Sequence, residues 1–200
     1  MDETGSGCMK VYHGSYCEVR VPDLNKSRTD IDFGVGFYTT EDDRMARKWA
    51  CNKKASVLNE YEMNFDGLKT IKLYADDKWF DYVLYNRGYD TEIREAEELK
   101  HCDAIIGPTA DDRMFFIFEM YNNGLVSKEN AIKILNVMNY SPQVVLKSEK
   151  AIKQLHFLCS KEIKGAEKDN YFLAFRNDSA NSVRNTNELL KRLNRGEPLC

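Results

Sequence analysis

Two short stretches hold the side chains best suited to handling a polar ligand. The first is Tyr12-His13-Gly14-Ser15, which closes an apolar run. The second is Asp32-Phe33-Gly34-Val35-Gly36-Phe37-Tyr38-Thr39-Thr40. An imidazole and a hydroxyl each bond a sugar hydroxyl, and a glycine between them lets the backbone pair with a planar amide. Gly34 and Gly36 permit close approach of the backbone to a ligand, and Tyr38 offers an aromatic face beside it. Farther along, Gln143 carries a side-chain carbonyl without charge, so it orients a hydroxyl but cannot act as a base. Asp111 and Asp112 follow Gly107-Pro108-Thr109-Ala110 in a loop where a carboxylate could activate an acceptor. An Asp immediately before a helix also reads as an N-cap.

Those residues need elements to position them. Lys10 to His13 reads as a buried strand ended by Gly14-Ser15, and the polar segment Pro22 to Asp32 reads as a loop leading to a second strand at Gly36 to Thr39. Thr40 and Asp43 form a capping-box-like start for a helix carrying Met45, Ala46, Trp49 and Ala50 on one face and ending near Asn52 to Lys54. Asp66-Gly67 between Val57–Phe65 and Leu68–Tyr74 is a two-residue hairpin signal, which predicts that these strands pair. Asp76 to Tyr85 has helical spacing with Gly88 as its stop, and Ala104 to Ile106 is a short strand. Asp112 to Asn123 is a helix closed by Gly124, and Ser127 caps another. Gln143 to Leu146, Ser148 to Leu155 and His156 to Cys159 then read as strand, helix, strand. Strands and helices mix without a βαβ repeat, which predicts an α+β fold. Residues 1–8 read as a leader or disordered end and 9–164 as one domain. In 165–200 the pattern degrades, leaving a partly helical or flexible appendage with one short helix at Asn187 to Leu193.

Composition narrows the function classes. The 200 residues are 42% hydrophobic, enough for one well-buried domain and too few for two. There are 29 Lys+Arg against 32 Asp+Glu, a net charge of −3, so no overall basic field recruits nucleic acid. Locally, Arg184 to Arg195 is basic and Asp76 to Asp103 acidic; the basic tail reads as a solvated helix face, with contact to an anionic partner as the alternative. The 6 cysteines lack the close spacing of a zinc or redox site, and no His, Cys or carboxylate cluster has metal-ligand spacing, so no metal is expected. His101 and His156 read as structural. No apolar run approaches the roughly 18 residues of a membrane span, which predicts a cytoplasmic protein with reduced thiols and no membrane partner.

The ordered set of motifs resembles the NAD-binding core of the ADP-ribosyltransferase superfamily. Tyr-His-Gly-Ser followed by Phe-Gly-x-Gly-Phe-Tyr is similar to the His-Tyr-x arrangement of the poly-ADP-ribose polymerases. From Met9 to about Ile163, Gly-Pro-x-Ala-Asp-Asp and the Gln143 strand included, the chain looks like an uncharacterised bacterial family of unknown function, number 3990, grouped with those transferases. The resemblance implies a split β-sheet core with flanking helices. It also implies that His13, Gly14 and Ser15 carry the nucleotide, that Gly36 and Phe37 belong to the cofactor-binding set, and that Tyr38, placed by Gly34 and Gly36, faces the nicotinamide. In those polymerases a second tyrosine stands where this chain has Trp49, which therefore reads either as the opposite wall of a ring sandwich or as the core anchor of its helix. Ala46 stands where they have a serine. Gln143 stands where the superfamily has a glutamate on the nicotinamide-ribose 2′-hydroxyl, a departure that argues against long-chain polymer synthesis.

The expected activity is mono-ADP-ribosyl transfer: NAD is the co-substrate, nicotinamide departs, and ADP-ribose passes to a protein or nucleic-acid acceptor. His13, Tyr38 and Gln143 form the expected triad, with Asp112 beside it. An enzyme of this kind in a bacterium would be toxin-like. Two alternatives stay open: a catalytically silent module that binds NAD or ADP-ribose, and an NAD glycohydrolase using water. Transfer of an RNA 2′-phosphate ranks last, because no phosphate-gripping Arg or Lys accompanies the motifs.

Overall fold

Alternating apolar residues over Cys8–Ser15, Val57–Asn64 and Leu155–Glu162 and the buried run Pro142–Leu146 form the frame of the protein. A computed structural model describes residues 7–51, 55–89, 99, 101–110, 115–137 and 141–197. Within them the order is β1 (Cys8–Ser15), a 3-10 turn (Leu24–Lys26), β2 (Phe37–Thr40), α1 (Asp43–Cys51), β3 (Val57–Asn64), β4 (Thr70–Lys72) and α2 (Asp77–Asn86). There follow β5 (Ala104–Pro108), α3 (Phe115–Asn122), α4 (Lys128–Val137), β6 (Pro142–Leu146), α5 (Glu149–Lys153), β7 (Leu155–Glu162) and α6 (Gly165–Asn194). The α+β class expected from the mixed order holds.

The seven strands run β4-β5-β6-β2-β1-β3-β7, antiparallel except for β4 beside β5. The two inner strands β2 and β1 are joined by a single register pair, Tyr12 with Thr40. On either side pairing is extensive: β1 matches β3 along its whole length, and Phe37 to Thr40 match Leu146 to Gln143. The sheet is therefore two halves, β4-β5-β6-β2 and β1-β3-β7. They are not coplanar, because β4 and β3 lie five strand spacings apart, about 24 Å in a flat sheet. The chain from Asn64 to Thr70 reaches at most about 22 Å. The halves fold toward each other and enclose an inner core of Val11, Phe37, Tyr61, Met63, Val144, Leu146 and Ile152.

Helices cover the outer face. Trp79, Phe80, Phe118, Ile134 and Leu135 pack on Ile105 and Val145, while Ala46, Ala50 and Cys51 of α1 pack near Leu58 and Tyr12. Asp76 caps α2 by accepting from the Trp79 amide at 3.0 Å, and Ser148 caps α5 by accepting from Ala151 at 3.1 Å. The cap of α1 is Asp42 rather than Thr40: its carboxylate accepts from the amides of Arg44 and Met45.

Two further expectations change. The Asp66-Gly67 turn exists, with Gly67 at φ 70° and Leu68 bonded back to Phe65. The flanking strands do not pair, because β1 and β7 occupy both edges of β3, and β4 crosses to the other half to lie beside β5. At the C-terminus, in place of one short helix at 187–193, α6 runs 30 residues, about 45 Å. Its first half meets α1: Arg47 bonds Glu167 at 2.8 Å and lies 5.8 Å over the Tyr171 ring, and Lys48 bonds Asp178 at 2.6 Å. Its second half buries Leu189 against the outer core, with Leu190 and Leu193 beside it. Each ion pair keeps its carboxylate more than a third exposed, where solvent screening limits its worth, so the buried leucine is the stronger tie.

Candidate functional site

The site grows from the place where β1 and β2 part. One residue beyond the Tyr12–Thr40 pair, the His13 imidazole takes over the role of the ladder: Nδ1 lies 2.7 Å from the Tyr38 carbonyl. A carbonyl only accepts, so Nδ1 carries the proton and Nε2 is left with its lone pair. The ring is half-buried and tilted against Phe37, centroids 4.4 Å apart. Burial lowers its pKa below the ordinary 6.5, opposed by the Tyr38 bond, so the imidazole is neutral at pH 7. His13 can thus accept a hydrogen bond from a hydroxyl. The edges Gly14-Ser15 and Phe37-Tyr38 do not pair in register with each other and flank the junction.

The glycines of both motifs have packing reasons. A Cβ on Gly14 would lie 2.0 Å from the Ala46 carbonyl oxygen and 2.7 Å from the Ala50 nitrogen, so α1 rests on bare backbone there. The same contact accounts for Ala46, which is fully buried. A Cβ on Gly36 would lie 2.5 Å from Val145 Cγ1. Gly34 sits at φ 67°, the left-handed turn that places the Phe33 and Gly34 backbone over Tyr38.

Tyr38 is tied down at its tip. Its hydroxyl donates to the Gly34 carbonyl at 2.8 Å and accepts from the Phe33 amide at 3.0 Å. Burial and the neighbouring Asp32 charge hold its pKa well above the ordinary value, so it stays a neutral phenol. Lys147 crosses the same loop, its Nζ bonded to the Phe33 carbonyl, and burial brings its pKa down to about 8.

Beneath the loop lies a buried polar cluster. Asp32 is 4% exposed and Gln143 2%. Asp32 Oδ1 accepts from Arg87 Nη2 at 2.5 Å and Nε at 3.2 Å, while Oδ2 accepts from the Ala110 amide at 2.7 Å and from Gln143 Nε2 at 2.8 Å. Arg87 also bonds the Ala110 carbonyl. Burial pushes the Asp32 carboxyl up, and Arg87, Ala110 and Gln143 pull it back. Every partner of the carboxylate is a donor, so a protonated form would aim its O–H at an N–H, and the ion pair is the form that fits.

The structure brings Tyr38 and Gln143 to the same, outer face, through the pairs Tyr38–Val145 and Thr40–Gln143. His13 shares the inner face with Val11 and Phe37 and touches Tyr38 through its backbone. Phe37 belongs to the inner core. Ser15 is half-buried at the end of β1, and Trp49 is half-buried on α1 outside the apolar clusters. The core-anchor reading of Trp49 does not hold, since the helix is anchored by Ala46, Ala50 and Cys51. Asp111 and Asp112 lie outside the described residues.

Sequence reasoning missed the Asp32–Arg87 pair. Asp32 stood in the quoted motif, but Arg87 follows α2 with no local signal that it turns inward. A cavity of about 250 Å³ lined by Lys72, Tyr74, Pro108, Asn136 and Pro142 opens beside β4 and β5, below the range of about 300–1,000 Å³ usual for ligand sites. Among the described residues no His, Cys, Asp and Glu group is arranged for a metal, and no helix is long and apolar enough to cross a membrane. A family model described as "Protein of unknown function (DUF3990)" matches residues 9–157. No curated protein and no solved structure matches.

Proposed function

The chain belongs to the DUF3990 family, and from the resemblance of its ordered motifs to the ADP-ribosyltransferase superfamily we propose that it is an NAD-dependent mono-ADP-ribosyltransferase. The observation that supports this most is His13 at the junction of the half-sheets, neutral, fixed by the Tyr38 carbonyl and offering Nε2 to a hydroxyl. An imidazole so held suits a ribose, and the edges Gly14-Ser15 and Phe37-Tyr38 suit a planar carboxamide, with Trp49 as a ring wall. In the reaction the glycosidic C–N bond breaks with its electron pair leaving on nicotinamide. The acceptor's lone pair forms the new bond to the ribose C1′, and the acceptor proton passes to solvent. The developing positive charge on the ribose is what the site must offset. By the resemblance Gln143 would be the acceptor to the 2′-hydroxyl and not a base, and it would act from the face opposite His13. The resemblance of the ordered motifs to the ADP-ribosyltransferase superfamily supplies the reaction class. Under this reading NAD and a protein or nucleic-acid acceptor are the partners, and the protein acts in the cytoplasm.

A second reading, a silent NAD or ADP-ribose module, is favoured by one observation: Gln143 is 2% exposed and its amide is committed to Asp32. Incubation of the protein and cell lysate with NAD labelled in its adenylate phosphate separates the readings. Transfer predicts nicotinamide release and a labelled macromolecule, both lost in Tyr38→Ala and Gln143→Ala. Labelling undiminished by both substitutions refutes the assignment. Calorimetric NAD binding without turnover selects the silent module, and nicotinamide release without label selects hydrolysis.

A further inference from the structure

We propose that Asp32 is the positioning residue of Gln143, fixing which atom of the carboxamide is offered to a ligand, and that it is the reason an amide and not an acid stands at 143. This rests on the transferase reading for its catalytic meaning, though not for its geometry.

A free glutamine side chain rotates its carboxamide and exchanges donor for acceptor at a small cost. Here both directions of Nε2 are spoken for: Asp32 Oδ2 at 2.8 Å and the Pro108 carbonyl at the margin, 3.5 Å. Asp32 in turn accepts from Arg87 and the Ala110 amide, and all its partners are donors. Turning the amide over would set the Gln143 carbonyl oxygen against a carboxylate in a region closed to water, an arrangement of two acceptors with no proton between them. The buried anion therefore holds the nitrogen toward itself and leaves Oε1 as the acceptor that residue 143 retains. An acceptor presented at that point does for a ribose hydroxyl what one carboxylate oxygen would do, without its charge.

The same contact explains the amide. A glutamate at 143 would put a second carboxylate at hydrogen-bond distance from Asp32, and Arg87 already faces the far oxygen of Asp32. Two like charges that close in a buried site do not both ionise, so one would take up a proton or the cluster would open. Asp32 also holds Ala110, the last described residue before Asp111 and Asp112, so the ion pair ties the β5 exit to β6.

The test uses the full chain in four forms: wild type, Gln143→Glu, Asp32→Asn, and the double variant. Wild type should show, beside that of the buried Asn59, a side-chain carboxamide pair slowed in solvent exchange by nuclear magnetic resonance, assigned by its loss in Gln143→Glu and released in Asp32→Asn. Gln143→Glu should lower the thermal midpoint and abolish nicotinamide release although it restores an acid. The double variant, with one carboxylate again, should recover most of the midpoint and at least a tenfold part of the lost turnover, through kcat more than KM. A Gln143→Glu protein as stable and at least as active as wild type, a double variant no better than Gln143→Glu, or a wild-type carboxamide exchanging as fast as an exposed one would each overturn the proposal. If no form consumes NAD while the exchange and midpoint pattern holds, the positioning stands and the transferase reading falls. A purely structural Asp32 would shift the midpoint without the kcat-specific recovery.

Discussion

Gly14→Ala separates packing from ligand contact at the His13-Gly14-Ser15 motif. The added Cβ would sit 2.0 Å from the Ala46 carbonyl oxygen and 2.7 Å from the Ala50 nitrogen, both backbone atoms of α1. Ordinary contact begins near 3.5 Å, so the helix must withdraw by about 1.5 Å, and no side-chain rotation can absorb it. Ala46 and Ala50, both fully buried, would then lose their contact with β1. Overpacking costs about 1–3 kcal/mol when side chains can adjust, so about 3 kcal/mol is expected here. For a chain of this size that lowers the thermal midpoint by about 6–12 °C. Gly36→Ala is the internal control: its Cβ meets Val145 Cγ1 at 2.5 Å and the Leu146 carbonyl oxygen at 3.0 Å, so the nearest backbone atom is about 1 Å farther off than at Gly14 and the cost should be smaller. Thermal and urea unfolding followed by circular dichroism read both variants. A Gly14→Ala protein with an unchanged midpoint and impaired NAD binding would refute the packing argument and return the glycine to the ligand.

Tyr38→Phe removes the partner of the Phe33 amide and of the Gly34 carbonyl, and should cost about 1–3 kcal/mol in urea unfolding; an unchanged midpoint would mean that the phenol does not hold the loop. His13 has a folded pKa below its ordinary 6.5, so the unfolded chain binds the proton first. Its contribution to stability should be complete above about pH 6.5 and lost progressively as pH falls below that value, with the slope of stability against pH reduced in His13→Asn. Equal slopes in the two proteins would show that His13 is not held neutral. Leu189→Ala should destabilise the whole domain by about 2–5 kcal/mol in a single unfolding transition, since Leu189 is 7% exposed against the outer core. A separate early transition would show that α6 melts on its own.

How much was legible follows from the range of each interaction. Helices α2 and α5 could be read because their apolar spacing and their caps lie within a few residues. The α1 cap shifted from Thr40 to Asp42 because Thr40 Oγ1, held by donating to the distant Pro142 carbonyl, accepts from the Asp42 amide, and the Arg44 and Met45 amides go to the Asp42 carboxylate. The hairpin at Asp66-Gly67 failed for a similar reason: a turn fixes chain direction over four residues, whereas pairing depends on which edges are already filled. The long helix at Gly165–Asn194 was hidden because Asn, Ser and Asp weaken local propensity, and packing on α1 and the outer core outweighs it.

At the site the sequence by itself determined the residue types: a histidine before a glycine, a tyrosine after a Gly-x-Gly, and an amide near the start of a late strand. Only the tertiary structure decided that the glycine bears a helix, that the tyrosine hydroxyl latches its own loop, and that Asp32 and Arg87 stand behind Gln143. Local patterns record what each residue can do. A buried charge pair joining a loop, the end of a helix and a strand leaves no periodic trace, because its members meet only once the chain has folded and water has been excluded from between them.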